Sequence, residues 1–155
     1  MEFEFNYDDV MAVIKEEIAR EASQAYTSEG VSLYDALRWV SRDQERSRRI
    51  MAEVLSSIKE QCNRFICCAE QTSSGSVEEY DTLAFSLKDS VRRTEGRMMS
   101  VQTLLRSMVT NMFLNKYFLG KNNTDLASKY DALAVADIKS LTSLLYTKVP
   151  PTYPV

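Results

Sequence analysis

Apolar side chains recur at helical spacing along almost the whole chain. The first such stretch predicts a helix from about Asp8 to Tyr26. Asn6 or Asp8 serves as its cap, and Val10, Ile14, Ile18, Ala22 and Ala25 line one face. A second helix opens at SLYD, where Ser32 and Asp35 make a capping-box-like start. It carries Leu33, Leu37, Val40, Met51, Val54, Leu55, Ile58, Cys62, Phe65, Ile66 and Ala69 until TSSGS stops it. A third helix starts at the box of Ser76 and Glu79 and runs to about Leu119, with Gly120 just past its end. Tyr80, Leu87, Val91, Met98, Val101, Leu105, Met108 and Met112 form its core line. The fourth follows KNNTD, puts Leu126, Tyr130, Ala134, Ile138, Leu141 and Leu145 on one stripe, and is ended by Pro150 and Pro151. Residues 41–49, which hold no apolar side chain, and Gly96 mark where a long helix could bend.

These lengths predict a shape. The second and third helices, at roughly 40 residues each, would each reach about 60 Å and pair as an antiparallel hairpin. The first and fourth are about half as long and fold back along the same end. The expected fold is therefore all-α, one helical domain over residues 1–155. It is an antiparallel bundle of two short and two long helices, with residues 51–98 projecting as a two-helix stalk. Segments 1–7 and 148–155 are extended arms. Phe65 and Ile66, and Leu83 to Phe85, make apolar arcs wider than the seam a two-helix hairpin needs. Such flanks want cover from a second copy or a larger complex. A bend at 41–49, with the chain folded back and every flank buried, is the alternative.

Both arms bear aromatics. EFEFNY alternates acid and aromatic, the period-2 pattern of a strand. Phe3 and Phe5 could add to the edge of another protein's sheet, but docking on the chain's own bundle, or a frayed end, is the plainer reading. PPTY, with Pro150, Pro151 and Tyr153, fits the PPxY pattern that WW domains take in a polyproline II groove. An extended tail docked on a neighbour is the simpler expectation.

Composition narrows the chemistry. The chain has no histidine, which removes Ser-His-Asp and Cys-His nucleophile activation and carboxylate–histidine metal sites. Four glycines form no phosphate-cradling loop. Cys62, Cys67 and Cys68 are an odd, clustered set and read as reduced, buried thiols, with no metal-ligand spacing. The methionines along the third helix read as adaptable packing rather than a cofactor site. Carboxylate pairs at Glu16 and Glu17, or Glu78 and Glu79, are sequence neighbours and do not converge on one substrate. No catalytic residue, cofactor, metal or small-molecule substrate is expected. The opening residues have no signal-peptide pattern, Gly is absent at position 2, and no apolar run is long enough to span a membrane.

Net charge is −3, unevenly spread, with eight acids and two bases in the first 30 residues. Arg42, Arg46 and Arg49 share a helical face, and Arg93 and Arg97 are one turn apart. This belt is a candidate anion or nucleic-acid site. Interleaved acids make a solvated face, or pairing with the acidic first helix, the preferred reading.

The sequence thus points to a non-catalytic structural or adaptor protein, cytoplasmic or built into a particle made there. It would assemble through helical faces and extended ends, with Phe3, Phe5, Phe65, Ile66, Phe85, Pro150, Pro151 and Tyr153 as contact residues. By shape alone it is similar to small helical parts of virions, including phage head–tail and tail components. An anion- or nucleic-acid-binding accessory protein and a small helical regulator are the alternatives.

Overall fold

A computed structural model describes residues 2–24, 39, 41–73 and 81–146. Their order is β1 (Phe3–Asn6), α1 (Tyr7–Gln24), α2 (Ser41–Gln61), β2 (Ile66–Thr72), β3 (Thr82–Leu87), α3 (Glu95–Gly120) and α4 (Thr124–Leu145). Four helices and a three-stranded antiparallel sheet among the described residues make the fold mixed α/β. That overturns the all-α expectation and, with it, the stalk. The second helix ends at Gln61, and the stretch assigned to the start of the third is the central strand.

The sheet order is β1-β3-β2. Phe3 lies opposite Phe85 and Phe5 opposite Leu83. On the other side of β3, Ala69 faces Phe85 and Gln71 faces Leu83. One face therefore collects Phe3, Phe5, Leu83 and Phe85, all buried, while Glu4, Glu70, Thr72 and Ser86 belong to the other. Phe5 and Phe85 meet edge-on with ring centroids 5.8 Å apart, and burying each phenyl group contributes about 1.5–3 kcal/mol. A hairpin of β2 and β3 alone is marginal in water; the third strand, from the far end of the chain, completes the apolar face. Period-2 alternation in EFEFN was a true strand signal, and its partner lies within the same chain.

A bulge hid β2 from the sequence. Pairing steps from Ile66 opposite Leu87 to Cys68 opposite Ser86, leaving Cys67 as the extra residue. Alternation breaks there, so Ile58, Cys62, Phe65, Ile66 and Ala69 mimic a helical stripe.

The polar run 41–49 is helical throughout and opens α2. Its buried face reads Asp43, Ser47, Met51, Val54, Leu55 and Ile58, one stripe whose first two members meet polar partners. Tyr7 donates its hydroxyl to Ser47 Oγ at 2.6 Å, and Ser47 donates to the Gln44 carbonyl at 2.9 Å. The beginning assigned at Ser32, and Ser76 and Glu79, lie outside the described residues.

Caps follow ordinary chemistry. Asn6 Oδ1 accepts from the Asp9 amide (3.1 Å), starting α1 as soon as β1 ends. Thr94 Oγ1 accepts from Arg97 N at 3.4 Å and begins α3, so Gly96 falls in the first turn and breaks nothing. Asn123 Oδ1 accepts from Leu126 N at 3.0 Å and begins α4. Between these last two helices the turn is made by Asn122 at φ 58, a left-handed conformation asparagine tolerates; Gly120 is still helical.

Helix α3 is central. It packs along α4 and touches α1 and α2 on its other sides. Buried residues such as Leu105, Met108, Val109, Phe113, Leu114 and Phe118 surround it on several faces. One hydrophobic cluster joins the sheet's inner face to all four helices.

Candidate functional site

Among the recesses that the described residues form along α3, two lie beside a buried acid. The larger, of about 420 Å³, is a groove between α1, α3 and α4. Leu114 lies at its bottom, fully buried, while Val13 and Leu133 on its walls are 41% and 43% exposed. Arg20, Arg106, Lys129 and Glu17 supply its charges, and Thr103, Thr110 and Asn111 its neutral polar groups. Ser107 Oγ and Asn111 Nδ2 donate to Asp137 Oδ2 at 2.7 and 2.8 Å, fixing α3 against α4 beside the groove.

Glu21 anchors this end. It is 8% exposed and accepts from Lys129 Nζ at 2.5 Å and the Tyr130 hydroxyl at 2.8 Å. Burial alone raises its pKa, but the hydrogen bonds from Lys129 and Tyr130, with the charges of Lys129 and Arg20, bring it below the ordinary carboxylate value. Tyr130 is pushed up, first by burial and then by its bond to Glu21. Arg20 pairs with Glu17. Arg106 lies over the Phe5 ring at 5.3 Å, so its charge is partly met by an aromatic face.

The smaller recess is a notch of about 310 Å³ where α2 begins and α3 ends. Arg42, Asp43, Arg46 and Ile50 line it from α2, facing Lys116, Tyr117, Gly120, Lys121 and Asn122. Asp43 is 5% exposed and accepts from Lys121 Nζ at 3.1 Å. Tyr117 also hydrogen-bonds Asp43; burial, then that nearby charge, pushes its pKa up. Trp39 stacks on Tyr117 at 5.6 Å.

The contact residues chosen from sequence lie elsewhere. Phe3, Phe5, Phe65, Ile66 and Phe85 are all buried in this chain's own core. The bare flanks that made them partner-binding residues do not form, because strand pairing turns them inward. Pro150, Pro151 and Tyr153 lie outside the described residues.

The arginine belt divides. Arg42 and Arg46 meet in the notch, whereas Arg49 is exposed and does not line it. Arg93 clasps Glu2, with Nε to Oε2 at 2.8 Å, and donates to the Val91 and Leu87 carbonyls at 2.8 and 3.1 Å. It ties β1 to the loop before α3. Arg97 Nη1 reaches the Arg92 carbonyl at 3.4 Å. Glu17 is a groove residue and Glu16 points to solvent; Glu78 and Glu79 lie outside the described residues.

Of the thiols, all free, only Cys62 is buried; Cys67 is exposed and Cys68 partly so, which corrects the expectation for that pair. Among the described residues no group of three or more Cys, Asp or Glu side chains is placed to hold a metal ion. No helix among them is long and apolar enough to cross a membrane.

Sequence reasoning missed Asp43, Lys116, Lys121 and the Glu21–Lys129–Tyr130 cluster. A usable signal existed for Asp43 alone. It stands in phase with Ser47, Met51, Val54 and Ile58, so the helical stripe continues through the polar run. Comparison with family models, curated proteins and solved structures returns no match for this chain.

Proposed function

We propose that this chain is a non-catalytic adaptor that takes a short, acidic, apolar-faced segment of a partner protein into the groove between α1, α3 and α4. The observation that carries this is the pair Val13 and Leu133. They are 41% and 43% exposed on the walls of a recess whose bottom, Leu114, is fully buried. An inserted apolar side chain would gain about 25 cal/mol for each Å² removed from water. Arg20, Arg106 and Lys129 stand around the opening against Glu17, which favours a segment with surplus acids. A sequence without histidine supports a binding role over a hydrolytic one. The setting of this reading is the cytoplasm, or a particle assembled in it.

A photo-crosslinking residue at Thr110, on the groove wall, tests this in the native cell. One partner is expected, cross-linked through a peptide with apolar residues on one face and excess acids. Val13→Asp with Leu133→Asp should abolish that product while leaving the fold intact, because both positions are exposed. A yield at Thr110 no higher than at an exposed control such as Arg49, or a cross-linked peptide without acids, would overturn the proposal.

A further inference from the structure

We infer that the notch between α2 and the end of α3 binds a small, multiply charged phosphoryl anion of the pyrophosphate class. Among the described residues this site shares none with the groove, and it stands independently of it.

The geometry begins with spacing. Arg42 and Arg46 are one turn apart and share a face of α2. The α3–α4 corner, turned by left-handed Asn122, carries Lys116 and Lys121 up to that face. Among the described residues, four cations line the recess against one acid, Asp43. That acid is already committed to Lys121 and Tyr117. Lys116 has Glu53 at 4.0 Å, a long and exposed contact. Among the described residues Arg42 and Arg46 have no carboxylate within ion-pair reach. Two planar guanidinium groups on one helical face are suited to bidentate contact with phosphoryl oxygens.

Size chooses among anions. A recess of about 310 Å³ is at the small end of ligand sites. Nucleic acid needs a basic track, and the other belt arginines do not extend one: Arg93 is held by Glu2, and Arg49 does not line the notch. Asn122 adds a neutral polar side chain to the wall.

Trp39 is the chain's single tryptophan and stacks on notch-lining Tyr117, so its fluorescence reports on the site. Pyrophosphate is titrated into the full chain at low salt by calorimetry, with Trp39 emission followed in parallel. Saturable 1:1 binding is expected, tighter than for inorganic phosphate. Arg42→Gln with Arg46→Gln should weaken it at least about ten-fold, the equivalent of one charge-assisted hydrogen bond. Lys116→Gln should weaken it as well, and Arg49→Gln should leave it unchanged. Thermal melts confirm that each variant is folded. Absence of saturable heat, equal loss in Arg49→Gln, or tighter binding of a short oligothymidylate than of pyrophosphate would overturn the assignment.

Discussion

Glu21 and Asp43 are held alike, each by a lysine and a tyrosine from another helix or its capping turn, yet the surfaces around them differ. At the groove Arg20 and Lys129 both reach carboxylates, and Arg106 rests on an aromatic ring. What remains open there is mainly apolar wall, with positive charge in slight excess at its rim. At the notch the acid is used up by Lys121 and Tyr117, while Arg42 and Arg46 stay unpaired among the described residues. What remains open there is positive charge. One buried motif thus serves two surfaces, and the residues left over after internal pairing decide which ligand each suits.

The largest expected effect falls on the hydrophobic cluster that joins the sheet to the helices around both recesses. Phe85 is fully buried in the central strand, and Phe85→Ala should cost about 3–5 kcal/mol in denaturant unfolding. On an open stalk flank the same change would cost less than about 1 kcal/mol. The two clamps should then separate. Asp43→Ala strands Lys121, whose side chain is only 23% exposed, and should cost about 3 kcal/mol. Glu21→Ala leaves Lys129, 48% exposed and free to turn to water, and should cost about 1–2 kcal/mol. Equal losses would mean the two clamps are not differently buried.

Smaller effects follow pH. Glu21 and Glu2 have depressed pKa values, Glu2 chiefly through its bond from Arg93. Their stabilisation is present above the ordinary value of 4.5 and is lost as pH falls through the folded values. Tyr117 and Tyr130 are raised, so their contribution is complete below 10.0 and declines as pH climbs beyond it. Melting temperature should therefore fall at both extremes, and Glu21→Gln should flatten the acid limb. Smallest is thiol access. Cys67 should react with a thiol reagent in the native state, whereas Cys62, buried and pushed up to about 11, should react only on unfolding.

Much of the helical framework was legible. Val10, Ile14, Ile18 and Ala22 do form the buried face of α1, and Tyr130, Ala134, Leu141 and Leu145 that of α4. Asn6 caps as expected. Local periodicity and short-range capping suffice for such elements. The sheet was not legible as a unit, because β3 takes one neighbour from residues 3–6 and the other from a bulged strand. The alternation of β1 showed, but β2 and β3 are each too short to outweigh a helical stripe when read alone. The recesses were half legible for a similar reason. Arg42 and Arg46 stood out as a pair, but Lys116 and Lys121 join them only through the turn at Asn122.

The contrast between the recesses is tested most directly by backbone amide shifts on addition of pyrophosphate at low salt. Perturbations confined to residues 42–50 and 116–122, with the groove positions 103–111 and 129–133 unmoved, are the expected result. Shifts centred on the groove, or spread evenly over every exposed lysine and arginine, would contradict the division of labour between the two surfaces.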